Sequence, residues 1–263
     1  MHRLRLLHRL FAVSAAETAE YRAPILVWVL TGTMPLIMMM IWMGLAKAGP
    51  MAGYEAEDFA AYFLAIFLVR QMTVCWVHEE LSREIRLGEM SPRLLRPLDP
   101  YWLFVAQHLT VAAMHLVIAL PVAVIGFAAT GATIPLEPAN SVLFVLAIAG
   151  AWTIRFNMLY GVGLLAFWTD QAAALGNLIF TLYIVLGGAV VPLDLFPASV
   201  QQALAFLPFA YLLNFPVEVL LGKLTGPAVL RGFVVQLLWI LLFVGLRHLL
   251  WRNGLKRYSA VGA

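Results

Sequence analysis

HEELSREIRLGEMSPRLLRPLD, residues 78–99, is a charged island between two long apolar runs. From Glu79 to Glu89 it reads as a helix, with Leu81, Ile85 and Gly88 roughly on one face. Glu79 and Arg83 are spaced to pair along a solvated helix, a contribution of about 0.3 kcal/mol. Gly88 and then Pro92 are read as its end. The apolar step Leu94–Leu95 follows between Arg93 and Arg96, and Pro97 and Pro100 close the segment. Such a run is either an ordinary solvated loop with membrane-anchoring arginines or a docking helix for a soluble subunit.

Working outward, the rest of the chain is oily. It is 263 residues long, 63% hydrophobic and only 12% charged, with a mean hydropathy of +0.89. A soluble domain carries about twice that charge. Apolar runs recur, each long enough to cross a hydrocarbon core of roughly 30 Å, where the backbone must satisfy itself as helix. Six such spans are placed at 24–46, 59–77, 102–129, 142–168, 172–191 and 233–250. Before the first span, Leu4, Leu7, Leu10 and Phe11 fit an amphipathic helix lying on the membrane surface over 1–22. Its apolar stretch is too short, and too soon interrupted by Glu17 and Glu20, for a signal peptide. The fold class is therefore an all-α integral membrane protein with six transmembrane helices over 23–263.

Lysine and arginine bias sets the orientation. Arg3, Arg5, Arg9, Arg22, Arg83, Arg86, Arg93, Arg96, Arg247, Arg252, Lys256 and Arg257 fall on one side, against Lys47, Lys223 and Arg231 on the other. The island and both termini are accordingly assigned to the cytoplasm. The pI near 9.2 reflects these membrane flanks and is no sign of a nucleic-acid partner.

Arg70 and Arg155 fall within predicted spans. A lone arginine there costs roughly 2.5–3.5 kcal/mol, so each should face protein or water. Both readings stand: a lining for an anionic substrate or an ion pair, or a structural bond to backbone carbonyls. His108 and His115 share a face of the third span without further metal ligands nearby, which favours interior packing. Cys75, the single cysteine, reads as a small packing residue. No phosphate-binding loop is present: Gly222-Lys223 precedes Leu224 and lacks the upstream glycine. HExxH, GxSxG and paired acidic clusters are missing as well. A lipid-modifying membrane enzyme would need such a cluster at one interface.

Downstream, Pro192, Pro197, Pro208 and Pro216 break the 192–223 segment into helical pieces too short to span. Phe196, Leu204, Phe206, Leu207, Phe209 and Tyr211 make them apolar enough to sit in the outer leaflet. Irregular backbone at that depth must be buried in protein or line a cavity. In the fifth span Gly176, Gly187 and Gly188 allow close approach, while Asn177, Thr181 and Tyr183 supply polar contacts.

Two segments carry a family resemblance. EIRLGEMSPRLLRPLDP, residues 84–100, resembles the intracellular coupling region of ABC-2-type transporter permeases. LGGAVVPLDLFPASVQQALAFLPFAYLLNFPVEVLLGK, residues 186–223, is similar to the extracellular re-entrant region before their last span. The span order and spacing resemble a compact six-span subfamily. The resemblance implies a permease of a prokaryotic inner or plasma membrane that is not itself an enzyme and has no ATPase motif: ATP and Mg²⁺ would be bound by a cytoplasmic ABC ATPase subunit, and the permease would need no cofactor of its own. It also implies a dimer, with a second copy or a sister permease. On this reading Arg83, Glu84, Arg86, Gly88, Leu94 and Leu95 form the coupling set in the 78–99 loop. Arg70, Arg155, Asn177 and Thr181 are candidates for the translocation path or permease interface. Export of an amphipathic, lipid-like or anionic substrate is the expected function. The alternative is an assembly protein whose loop recruits a soluble partner without transport.

Overall fold

The computed structural model describes residues 32–47, 49, 51, 53–135, 137–224 and 226–258. The amphipathic helix expected over 1–22 and the first part of the 24–46 span lie outside the described residues. Within them the chain is helical, and the only extended pairing is an isolated antiparallel bridge between Met51 and Tyr54.

Helix α1 (Met34–Ala46) leads by a short connection to α2 (Ala56–Met72). A capping box starts α2: the Glu55 amide donates to the Asp58 carboxylate at 2.9 Å, and the Glu55 side chain accepts in return. This helix is the centre of the bundle. Phe59, Tyr62, Phe63, Ile66 and Val69 are buried, packed among α1, α5 (Pro100–Thr130) and α10 (Asn214–Leu220). Its helical course breaks over 73–76 and resumes as α3 (Val77–Arg86). A turn through Gly88, at φ +76°, reverses the chain into α4 (Met90–Leu94).

Pro92, expected to terminate the island helix, instead lies in the first turn of α4. That turn has no intrahelical use for the missing amide, so proline is tolerated there. Asp99 then caps α5, accepting from the Tyr101 amide at 2.9 Å, and Gly131 closes α5 at φ +70°. Helix α6 (Pro138–Leu164) ends in a 3₁₀ turn, Leu165–Phe167, and is followed by α7 (Ala172–Leu186).

The proline-broken segment forms α8 (Ala198–Leu204), α9 (Pro208–Leu212) and α10 before the last helix, α11 (Gly226–Gly254). Helices α9 and α10 bury Phe209, Leu212, Phe215, Val217 and Val219 against α6 and their other neighbours. Gln236 of α11 donates to the Ala147 and Tyr211 carbonyls at 3.0 and 3.1 Å, satisfying backbone where the short helices meet the bundle. Of the aromatic residues in this segment, Phe209 and Tyr211 are buried against protein, Phe196 is half-buried and Phe206 is exposed.

Four helical runs are long and apolar enough to cross a membrane: Ala56–Arg86, Pro100–Thr130, Pro138–Phe167 and Gly226–Gly254. The described part of α1 and the whole of α7 are shorter. Helix α7 stops at Leu186 because the chain turns at Gly187 and Gly188, the latter at φ +95°. Helices α5 and α11 leave Val117, Ile125, Leu230, Leu238 and Leu241 exposed. An apolar surface of that extent is compatible with lipid as solvent and not with water.

Candidate coupling and translocation site

The island folds back on the bundle as a cap. One face of α3 is buried through Val77, His78, Leu81, Ser82, Glu84 and Ile85. Beneath it lie Phe104, Trp152, Phe156 and Tyr160, with Trp152 stacked on Phe156 at 4.9 Å and Phe104 edge-on to Tyr160 at 5.8 Å. Two glycines make the close approach possible. A Cβ built on Gly163 of α6 would lie 3.1 Å from the Leu81 Cβ and 3.2 Å from the His78 Cα. One built on Gly176 of α7 would enter the His78 ring, 2.7 Å from its Cγ. Helix α3 is thus keyed into both α6 and α7.

Charge holds the cap closed. Arg93 of α4 bonds to Glu84 of α3 and lies 3.8 Å from Glu80. Its guanidinium also covers the Phe104 ring at 4.8 Å. Ser91 and Tyr258 share a hydrogen bond of 2.9 Å, which ties α4 to the residues after α11. The Glu79–Arg83 pair expected from spacing is not among the ion pairs of the described residues. Glu80, one position on, is drawn toward Arg93 and toward Gln107, which donates to it at 3.0 Å.

The six residues of the expected coupling set divide by this packing. Arg83, Arg86 and Leu95 are exposed, Leu95 at 89%. Gly88 forms the turn and Leu94 packs against the aromatic cluster. Glu84, only 3% exposed, faces inward. Sequence spacing could not reveal Arg93 as its partner, because the pairing depends on the reversal at Gly88. Leu87, 60% exposed beside Arg83 and Arg86, is a further outward residue not singled out by the sequence.

The four path residues lie on two sides of α7. Asn177 and Thr181 are on its exposed stripe, where Thr181 donates back to the Asn177 carbonyl at 3.1 Å. Arg70 and Arg155 are on the inward side. The Arg155 guanidinium stands over the Tyr183 ring at 4.2 Å, and that of Arg70 over Phe180 at 5.8 Å. Gly176, Gly187 and Gly188 make their close approaches within this chain, against His78, Leu213 and Tyr62 respectively.

Both span histidines are buried: His108 bonds to the Phe104 carbonyl and His115 to Gln71, each at 3.0 Å. Cys75 is buried and unpaired with another cysteine. No cluster of three potential metal ligands occurs among the described residues. Arg247, counted from sequence as a membrane flank, is buried with its guanidinium 3.7 Å from the centre of the Tyr101 ring.

A polar latch lies at the opposite end of α2. Tyr54 donates to Asp194 at 2.5 Å, and Lys223 donates to Tyr54 at 2.5 Å. Tyr62 donates to the Gly188 carbonyl and to Asn214, both at 3.0 Å.

Four long apolar helices, a lipid-compatible surface and one charged cap define a multi-pass membrane protein. The chain belongs to the ABC-2 family: the family model described as ABC-2 family transporter protein matches residues 30–262. Comparison with curated proteins and with solved structures returns no match.

Proposed function

We propose that this chain is the permease subunit of an ABC exporter, driven by ATP hydrolysed in a separate cytoplasmic subunit. The observation that carries the reading is the two-sided build of α3. One side is keyed between Gly163 and Gly176, and the other presents Arg83, Arg86 and Leu87. A partner that pushes on the outer side acts directly on α6 and α7. Glu84 contributes by positioning, since it fixes Arg93 and so the α3–α4 reversal. Beside the cap, a groove lined by Trp76, Glu79, Glu80, Arg83 and Gln107 offers mixed charge to the same partner.

In this reading the chain has six spans, α1 and α7 completing the set, with cap and termini in the cytoplasm. The proline-broken helices enter the outer half of the membrane. The α7 stripe bearing Asn177 and Thr181 meets a second permease, where polar groups find partners away from lipid. ATP and Mg²⁺ are bound by the ATPase, and the substrate is an amphipathic, lipid-like or anionic molecule.

Co-purification with the ATPase tests the docking surface. Arg83→Glu with Arg86→Glu is expected to abolish association, because both side chains are exposed and reversal converts attraction to repulsion. The fold should be unaffected. Unchanged association and ATPase stimulation would defeat the assignment.

A further inference from the structure

The two intramembrane arginines come together in a way that packing alone does not explain. Arg70 of α2 and Arg155 of α6 converge on successive aromatic residues of one α7 face, Phe180 and Tyr183, whose rings are 6.1 Å apart. Two like charges thus lie against adjoining rings of one helix face. No ion pair to either is formed among the described residues. Each guanidinium keeps a buried Nη1 without a hydrogen bond, and so does the Tyr183 hydroxyl. Arg155 is only 4% exposed. Three unpaired buried donor atoms along one face of α7, two of them cationic, cost several kcal/mol if nothing accepts from them.

Arg155 and Tyr183 also line a crevice, together with Cys75, Trp76, His78, Ile179 and Phe180. Its free volume is about 10 Å³, roughly the space of one water. The lining is apolar apart from the donors and His78, which packs on Gly176. Arg70 is half-buried and flanks the crevice through Phe180, which lines it.

We propose that Arg70, Arg155 and Tyr183 form a binding site for the phosphate or carboxylate head of an amphiphile. Planar guanidinium groups suit both oxyanions, and an acceptor between them offsets the two like charges and the missing hydrogen bonds together. The apolar side chains take the adjoining body of the molecule. The crevice is closed to a headgroup as it stands, so occupancy requires α7 to draw back from α2 and α6. Because α7 also holds His78 through Gly176, that movement reaches α3 directly. Calling the bound molecule a substrate rests on the permease reading; the binding itself does not.

The test is binding by the full chain in neutral detergent, without any ATPase, followed by native mass spectrometry and thermal shift. Dodecyl phosphate, inorganic phosphate and uncharged dodecyl maltoside are compared. Dodecyl phosphate is expected to bind and stabilise. Arg155→Met and Arg70→Met should each weaken it by about tenfold to a hundredfold, the usual range for one charge-assisted contact. Both variants should melt no lower than the parent without ligand, since each removes an uncompensated charge. Arg70→Met, at a half-buried position, keeps the test sound if Arg155→Met fails to fold.

Equal binding by the variants would overturn the proposal. So would a full effect from inorganic phosphate alone, which would mark a site for free anions. Lower ligand-free melting of both variants with no dodecyl phosphate binding would also overturn it, assigning the arginines to structural contacts with Phe180 and Tyr183. None of these results bears on the docking of α3, which is measured with the ATPase present.

Discussion

Gly176→Ala is expected to abolish ATP-driven transport and ATPase stimulation while leaving ATPase association intact. The added Cβ would enter the ring of His78, a side chain with no solvent-exposed surface to retreat into. On the far side α6 leaves no slack, since even a Cβ on Gly163 would lie 3.1 Å from the Leu81 Cβ and 3.2 Å from the His78 Cα. One methyl group therefore has to part α3 from α6 or α7, at an overpacking cost of about 1–3 kcal/mol. The outer face of α3 is unchanged, so docking survives and transmission does not. Gly245→Ala is the matched control: α11 has open space there, and no effect is expected. Stimulation of the Gly176→Ala complex at the parent level would show that the α3–α7 contact does not carry the stroke.

Arg93→Ala should open the α3–α4 cap. It strands Glu84, which is almost fully buried and whose bonded partner is Arg93. Its second carboxylate oxygen already lacks a hydrogen bond. Stranding a buried charge costs about 3 kcal/mol, toward the lower end of the usual range because Arg93 keeps about a fifth of its exposure. The readouts are the melting temperature and proteolysis within residues 87–97. Combining Arg93→Met with Glu84→Gln should recover most of the loss, because it removes the charge along with its partner. A double variant as unstable as Arg93→Ala would place the cost in lost packing over Phe104 instead.

The apolar runs at 102–129 and 142–168 were legible because length and hydropathy alone specify a membrane helix; they correspond to α5 and α6. The extent of α7 was not, since apolar residues continue through Val190 and Val191 while the backbone turns at Gly188. Pro92 was misread for a related reason: proline marks either the end of one helix or the first turn of the next. The island's composition pointed to a surface, and its spacing placed Leu81 and Ile85 on the buried face. Spacing put Glu84 beside that face but could not show what compensates its charge, because the partner is an arginine beyond the turn. The meeting of Arg70 with Arg155 was equally hidden. It is made by three helices far apart in sequence, and only the packing of Phe180 and Tyr183 brings them together.

Docking of the ATPase on the outer side of the α3–α4 cap is read most directly by a photo-crosslinking residue in place of Leu95, the most exposed large apolar side chain of the cap. In membranes containing the assembled complex, the account predicts a crosslink from position 95 to the ATPase and none from position 241 on the lipid-facing side of α11. An ATPase that co-purifies yet crosslinks from 241, or from neither position, would contradict it.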